Sequence, residues 1–122
     1  MRKKYKPKSI RISMDIYYFI WGFKLKKKTS VNKAVISILD TCLIELKHTI
    51  YPQNLMDKYA AISPKCALDI QTTWRLPLEL IERFKEQDIA ATLCGKIKKM
   101  LSHYISESPV KTEFIELGKK FK

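Results

Sequence analysis

Two short stretches of the chain alternate between hydrophobic and polar residues. In residues 9–14, Ile10, Ile12 and Met14 alternate with polar residues, and residues 70–76 (IQTTWRL) show a similar alternation. A period of two is typical of a strand that buries one face. The pattern therefore predicts two half-buried strands, one in each half of the chain.

A short and a longer helix are predicted after the first strand. Asp15 suits an N-cap, and residues 16–23 place apolar side chains at helical spacing before a run of lysines at 24–28. Ser30 suits a second N-cap, and an apolar stripe then extends to Leu46. This order predicts a strand, a helix, a tight connection and a longer helix.

The same order returns in the second half of the chain. Pro77 suits the first turn of a helix, and Thr92 suits the cap of a longer one with its own apolar stripe. A constant offset of 62 residues aligns the halves without a gap, so that Asp15 falls on Pro77 and Ser30 on Thr92. We interpret the two halves as an internal repeat.

The segments outside the repeats have a different character. Residues 1–8 lack periodicity and predict a flexible basic arm, which precedes the first repeat at 9–47. Residues 48–68 contain two prolines and a short amphipathic patch, and they predict a linker before the second repeat at 69–106. The tail at 107–122 has the pattern of a short helix, and the sequence leaves open whether it packs on the core or binds a partner.

Positive charge is concentrated in the first third of the chain. The net charge is +12, and residues 1–33 contain eleven of the 24 Lys and Arg residues but a single acidic residue, Asp15. A basic surface of this kind either improves solubility or contacts a polyanion. The one-sided distribution favours contact with a phosphate backbone.

Composition makes several other classes of protein poor fits. The longest apolar run, Tyr17–Phe23, is far shorter than a membrane span of about 20 residues. The three cysteines and two histidines show no zinc-site spacing, and no glycine loop or carboxylate pair suggests phosphate or acid–base chemistry. We therefore expect no enzyme activity, cofactor, metal, membrane or small-molecule ligand, and a reducing, cytoplasmic compartment.

A strand, a helix, a tight turn and a longer helix in about 40 residues resemble the Arc/MetJ-like ribbon-helix-helix superfamily of DNA-binding proteins. The resemblance covers residues 8–47 and 69–106, and it fits tandem members from viruses and plasmids. It implies a mostly α fold with a short two-stranded antiparallel β-ribbon, in which the two repeats form an intramolecular pseudo-dimer. Such pairing would also bury the apolar face that one small unit leaves exposed.

In that family the ribbon enters the major groove and its outward residues contact bases. The resemblance assigns base reading to the polar residues of both strands: Ser9, Arg11, Ser13, Gln71, Thr73 and Arg75. Their amide, hydroxyl and guanidinium groups suit base edges. A solvated strand face would have the same composition, and it is the repeat and the basic arm that favour base reading.

The family also holds phosphates at the start of its second helix. Together with the basic arm, this assigns phosphate contacts to Lys3, Lys4, Lys6, Lys8, Lys27, Lys28, Thr29, Ser30, Lys33 and Thr92. Ser30 and Thr92 would serve equally as plain helix caps without DNA.

The sequence as a whole predicts a sequence-specific double-stranded DNA-binding protein that regulates transcription. It leaves open a homodimer or a higher assembly on DNA. One alternative is an accessory DNA-binding protein of a relaxosome at a plasmid transfer origin. Another is a protein-interaction adaptor that uses the C-terminal tail as its ligand.

Overall fold

The protein is mostly helical and contains a two-stranded antiparallel sheet. The computed structural model describes residues 4–46, 70–87 and 91–121, so the linker predicted at 48–68 lies outside the described residues. The elements in these ranges are β1 (Tyr5–Ile12), α1 (Met14–Lys27), α2 (Val31–Leu46), β2 (Ile70–Pro77), α3 (Leu78–Lys85), α4 (Leu93–Ser106) and α5 (Lys111–Phe121).

In each half the second helix, α2 or α4, is the longer of the two, and the caps of these two longer helices are those that the sequence predicts. The Lys33 N–H donates to the Ser30 hydroxyl oxygen at 3.2 Å at the start of α2. The Gly95 N–H donates to the Thr92 hydroxyl oxygen at 3.1 Å at the start of α4. Each hydroxyl satisfies one of the backbone donors that a helix N-terminus leaves without an intrahelical partner.

The starts of the two shorter helices differ from the prediction. Ser13, rather than Asp15, caps α1, because its hydroxyl accepts a hydrogen bond from the Ile16 N–H at 3.3 Å. Met14 is consequently helical rather than part of the strand. Pro77 ends β2 with an extended ψ of 140°, and α3 begins at the next residue. Both helices therefore follow their strands with almost no loop.

The first strand is longer than its hydrophobic pattern indicates. It begins at Tyr5, and residues 5–8, which the sequence placed in a flexible arm, pair with residues 74–77 of β2. Lys6 pairs with Leu76 and Lys8 with Trp74. Residues 5–8 show no alternation of apolar residues. They are a strand because they pair with β2, which the local sequence does not indicate.

The strands of the two halves align with one sequence offset, and the longer helices align with another. The order of exposed and buried side chains in residues 7–12 is repeated in residues 71–76, so that Ile10 matches Trp74. The longer helices instead match at 62 residues, with Val35 and Ile97 both buried. The single gapless offset is therefore wrong for the strands. A strand can shift by two residues without changing which side chains face inward, and the sequence pattern alone did not reveal the shift.

One side of the sheet and the five helices of the described ranges enclose a common apolar core. Ile10, Ile12, Trp74 and Leu76 project from the sheet into it and are almost fully buried. The core helices also make a polar contact, because the Arg83 guanidinium of α3 donates to the Asp40 carboxylate of α2 at 2.7 Å.

The C-terminal tail forms a helix that packs on this core. Helix α5 lies mainly against α1. Phe114 and Ile115 are buried there, and the rings of Phe114 and Phe19 lie 5.3 Å apart between centroids. Among the described residues, no helix is long and apolar enough to cross a membrane.

Candidate nucleic-acid interface

The outer side of the sheet is an exposed polar surface, which we call the ribbon face. It is formed by alternate residues of the two strands: Tyr5, Pro7, Ser9, Arg11, Gln71, Thr73 and Arg75. All seven are exposed, whereas the intervening residues toward the middle of the sheet are buried or half-buried. Five of the six predicted base-contacting residues therefore lie together on one surface.

A hydrogen-bonded pair of hydroxyls lies at the centre of the ribbon face. Ser9 pairs with Thr73 across the strands, and their hydroxyl oxygens are 3.0 Å apart. These two residues also correspond to each other in the strand alignment of the two halves. The strand register is thus symmetric about the Ser9–Thr73 pair.

Arg11 and Arg75 occupy equivalent positions on either side of this centre. Arg11 pairs with Gln71 at one end, and Arg75 pairs with Pro7 at the other. Four strand positions separate the two arginines along the ribbon, or roughly 13 Å at about 3.3 Å per residue. The cross-strand partners of the two arginines differ. Arg11 lies opposite an amide side chain, and Arg75 lies opposite a proline.

The outer edge of β2 is bonded to the first turn of α2 by Asn32. The Arg75 N–H donates to Asn32 Oδ1 at 2.9 Å, and Asn32 Nδ2 donates to the Arg75 carbonyl at 2.9 Å. Both backbone groups of Arg75 therefore point away from β1. Pro7, its cross-strand partner, can lack an N–H without losing a ladder hydrogen bond.

The first turn of α4 approaches the outer edge of β1 in a similar way. Cys94 stands at the position of α4 that corresponds to Asn32 of α2. Its thiol lies 3.6 Å from the carbonyl oxygen of Ser9. The two longer helices thus begin beside opposite edges of the ribbon.

The connection between α1 and α2 is a tight turn rich in cations. Lys28 adopts left-handed backbone angles (φ 53°, ψ 53°), and the Thr29 N–H bonds back to the Lys24 carbonyl at 3.1 Å. We call the exposed cations and hydroxyls around it the basic turn, which consists of Lys26, Lys27, Lys28, Thr29, Ser30 and Lys33. Except for half-buried Thr29, these residues are exposed, as a phosphate contact would require.

Two cation–aromatic contacts lie on the α1 side of this turn. Lys24 Nζ lies 4.5 Å from the centroid of the Trp21 ring, and Lys27 Nζ lies 6.0 Å from that of Phe23. Lys26 forms an exposed ion pair with Glu113 of α5 at 3.6 Å. Such surface contacts add little stability, and the cations remain accessible to a polyanion.

The corresponding turn before α4 is less basic. Glu82 and Glu86 are exposed in and just after α3, and Glu82 pairs with Lys85 at 3.3 Å. Lys96 donates to the Lys85 carbonyl at 2.7 Å, so this ammonium already has a partner. The two ends of the candidate interface therefore differ in charge.

Three of the predicted contact residues, Ser13, Lys6 and Lys8, are not placed as expected. Ser13 lies beyond the end of β1, where its hydroxyl caps α1 rather than facing outward. Lys6 and Lys8 lie on the side of β1 that faces the core, and Lys8 is half-buried. Lys4 is exposed before the strand, and Lys3 lies outside the described residues.

Two residues of the candidate interface were not singled out by the sequence. Tyr5 extends the ribbon face, and no alternation of apolar residues marks that end of the strand. Asn32 connects α2 with β2 over 43 residues of sequence. Asn32 lies two residues after the Ser30 cap, and nothing in the local sequence indicates that its side chain bonds a distant strand.

Two groups away from the ribbon have altered acidities. Burial raises the pKa of the Cys42 thiol strongly, and the nearby Glu45 carboxylate adds to the effect. Burial is also the main cause of the raised pKa of Tyr104, again with a contribution from Glu45. Both groups favour their neutral forms.

Within the described ranges, no three His, Cys, Asp or Glu residues are grouped so that they could hold a metal ion.

Comparison with known proteins gives no independent assignment, because no protein-family model, curated protein or solved structure matches the chain.

Proposed function

We propose that the protein binds double-stranded DNA by inserting its β-ribbon into the major groove, and that it regulates transcription from the sites it binds. In this proposal the chain is a tandem ribbon-helix-helix protein whose two repeats form an intramolecular pseudo-dimer. The observation that carries the proposal is the ribbon face, where Arg11 and Arg75 lie at equivalent distances from the Ser9–Thr73 pair.

The pseudo-dimer is supported by the way in which the halves complete each other. Each half supplies one strand, one short helix and one longer helix. The apolar sides of β1 and β2 close a single core with helices from both halves. One half alone would leave this apolar surface and its strand edge exposed to water.

The dimensions and chemistry of the ribbon support major-groove binding. The major groove is about 12 Å wide and admits a two-stranded ribbon. Arginine contacts guanine O6 and N7 in a bidentate manner, and Gln71 is suited to adenine. The roughly 13 Å between the arginines corresponds to about four base pairs at a rise of about 3.4 Å. We therefore expect contacts with two guanines on opposite strands, about four base pairs apart.

Phosphate contacts would come from the helix starts beside the ribbon. The basic turn lies next to the Arg75 end, because Asn32 joins the start of α2 to Arg75. Cations and free amides at a helix start are well suited to bind phosphate. If about six to eight phosphates are neutralised, log K against log salt should have a slope of about −5 to −7.

Selection of bound sites from a random duplex pool at about 0.15 M salt tests this proposal. We expect an enriched short motif with two inverted G·C pairs, bound by one chain. Arg11→Ala combined with Arg75→Ala should abolish enrichment, whereas Lys119→Ala in α5 should preserve it. Tight binding without enrichment would indicate an architectural protein instead, and an absence of binding would refute the proposal.

The adaptor alternative has less support from the described residues. It requires the C-terminal tail as a ligand for another protein. Phe114 and Ile115, two apolar residues of that tail, are already buried against the rest of the chain. Releasing them would expose both side chains to water, at a cost of about 1.5–3 kcal/mol for each one.

A further inference from the structure

The two edges of the ribbon are held very differently. Asn32 makes two hydrogen bonds of 2.9 Å with the backbone of Arg75 on β2. Cys94, its counterpart on the other half, approaches β1 through one sulfur contact of 3.6 Å with the Ser9 carbonyl. A thiol is a weak donor, whereas an amide group supplies both a donor and an acceptor.

The Asn32 side chain acts on β2 as a neighbouring strand would. It pairs with both the N–H and the carbonyl of one residue, which is how an additional strand satisfies an open edge. The residue that it holds is Arg75, whose side chain lies on the ribbon face. The backbone from which this guanidinium extends is therefore fixed relative to α2.

This contact also connects two parts of the proposed DNA interface. Asn32 lies in the first turn of α2, two residues after the Ser30 cap and next to Lys33 of the basic turn. Phosphate binding at this turn would set the position of Asn32 and, through it, that of Arg75. The contact that Cys94 makes is a weaker connection between α4 and the strand that contains Arg11.

We infer that Asn32 is a positioning residue for specificity, which makes the half-site contacted by Arg75 more stringent than the half-site contacted by Arg11. The inference rests on the proposed DNA-binding function. A bidentate arginine discriminates among bases only when its guanidinium is held in the plane of the base pair. A fixed backbone at Arg75 preserves that geometry, whereas the strand of Arg11 is held by the weaker Cys94 contact and tolerates other bases.

The test compares affinities for duplexes in which one of the two G·C pairs is replaced. The half-site of each arginine is first identified by the base pair at which Arg11→Ala or Arg75→Ala relaxes selection. For the wild-type protein we expect replacement at the Arg75 half-site to weaken binding about 10-fold to 100-fold. Replacement at the Arg11 half-site should weaken it several-fold less.

Substitutions at the two corresponding helix positions should both reduce this difference, one by lowering the stronger discrimination and the other by raising the weaker one. Asn32→Ala should reduce discrimination at the Arg75 half-site to the level of the Arg11 half-site, and leave the Arg11 half-site unchanged. Asn32→Asp, which keeps the acceptor for the Arg75 N–H but loses the donor, should be intermediate. Cys94→Asn adds an amide beside the Ser9 carbonyl, on the strand that contains Arg11, and should increase discrimination at the Arg11 half-site.

Different outcomes separate this inference from the function on which it rests. Equal discrimination at both half-sites of the wild-type protein would refute the inference while leaving DNA binding intact. A uniform loss of affinity for all duplexes on Asn32→Ala would show a purely structural role and refute it too. If Asn32→Ala does not fold, the comparison of the two half-sites in the wild-type protein and the Cys94→Asn variant still test the inference. Failure of the wild-type protein to select any sequence would refute the proposed function itself.

Discussion

Gly22 in α1 lies directly against the backbone of Phe114 in α5. A Cβ atom at Gly22 would overlap the Phe114 carbonyl oxygen, and one at Gly118 would in the same way overlap the carbonyl of Tyr18. Each helix thus contributes one glycine to the place where the other helix approaches most closely. This reciprocal contact brings the C-terminal helix onto the first helix of the chain.

Gly22→Ala should destabilise the protein although alanine favours helices. The methyl group would meet backbone atoms, which cannot move aside as a flexible side chain can. Helix α5 would have to move away from α1, and overpacking of this kind typically costs about 1–3 kcal/mol. The free energy of unfolding in urea measures the effect.

Gly95→Ala provides the matched control for this substitution. Its nearest neighbours would be Ala91 Cβ at 3.0 Å and Thr92 Oγ1 at 3.2 Å, both side-chain atoms. A small shift would accommodate them, and the gain in helix propensity of about 1 kcal/mol offsets the strain. If both variants had the same stability as the wild type, the close approach of α1 and α5 would be incorrect.

Lys28→Gly should stabilise the fold and weaken DNA binding at the same time. Lys28 has the left-handed angles that glycine adopts without a steric penalty. The substitution should raise the free energy of unfolding by about 1 kcal/mol. Loss of a phosphate contact should reduce the salt slope of binding by about 0.9. Urea unfolding and a salt titration of duplex binding measure the two effects.

Lys27→Ala separates these two consequences. It removes the same charge from the basic turn at a residue with ordinary helical geometry. We expect a similar reduction of the salt slope, with stability within about 0.5 kcal/mol of the wild type. An equal gain in stability from both variants would show that the backbone angles of Lys28 are not the cause.

The buried thiol of Cys42 should make the protein less stable at alkaline pH. Its pKa is raised in the folded state, so the unfolded chain loses the proton at a lower pH than the folded chain does. The unfolded state then binds fewer protons, and stability falls as the pH rises. Above about pH 8.5 this loss approaches about 1.4 kcal/mol per pH unit. Urea unfolding at a series of alkaline pH values measures it.

Cys42→Ala should remove that part of the pH dependence. The variant is less stable at neutral pH because it leaves a small cavity in the core. Val35→Ala makes a comparable cavity at another fully buried position without an ionisable group. It should therefore keep the wild-type dependence on pH. An identical dependence in both variants would exclude Cys42 as the source.

Arg11→Ala and Arg75→Ala should each relax selection at a different base pair. The two arginines are equivalent about the Ser9–Thr73 centre, so the affected positions should be inverted and about four base pairs apart. Each variant should lose about 1–3 kcal/mol of binding free energy on the selected site.

Arg83→Ala removes the same charge from α3, where the guanidinium binds Asp40 and is not one of the ribbon-face residues. We expect it to keep the selected motif unchanged. Site selection with all three variants is the measurement. Equal losses on selected and random duplexes from Arg11→Ala would exclude base contact by that residue.

Much of the secondary structure could be predicted because local patterns specify it. The hydroxyls of Ser30 and Thr92 cap the helices that they precede, and Val35 and Ile97 are buried as the apolar stripes indicate. Such signals depend on neighbours within one or two helical turns. They are therefore present in the sequence even when the rest of the fold is not known.

The strand register could not be predicted in the same way. Alternation distinguishes the inner from the outer side of a strand, but a shift of two residues leaves it unchanged. The sequence consequently aligned Ile10 with Thr72, whereas the structure matches it to Trp74. That shift decides that Arg11 corresponds to Arg75, and hence that the ribbon face is symmetric in its charged residues.

By itself, the sequence determined the order of the main elements, the sides of the strands that face inward and the concentration of positive charge near the N-terminus. The tertiary structure alone decided the extent of β1, the pairing of Ser9 with Thr73, the bonds from Asn32 to Arg75 and the contact between Gly22 and Phe114. Local hydrogen bonds and periodic burial determine the first group. The second group depends on which distant backbones approach each other, and packing of the whole core selects those contacts.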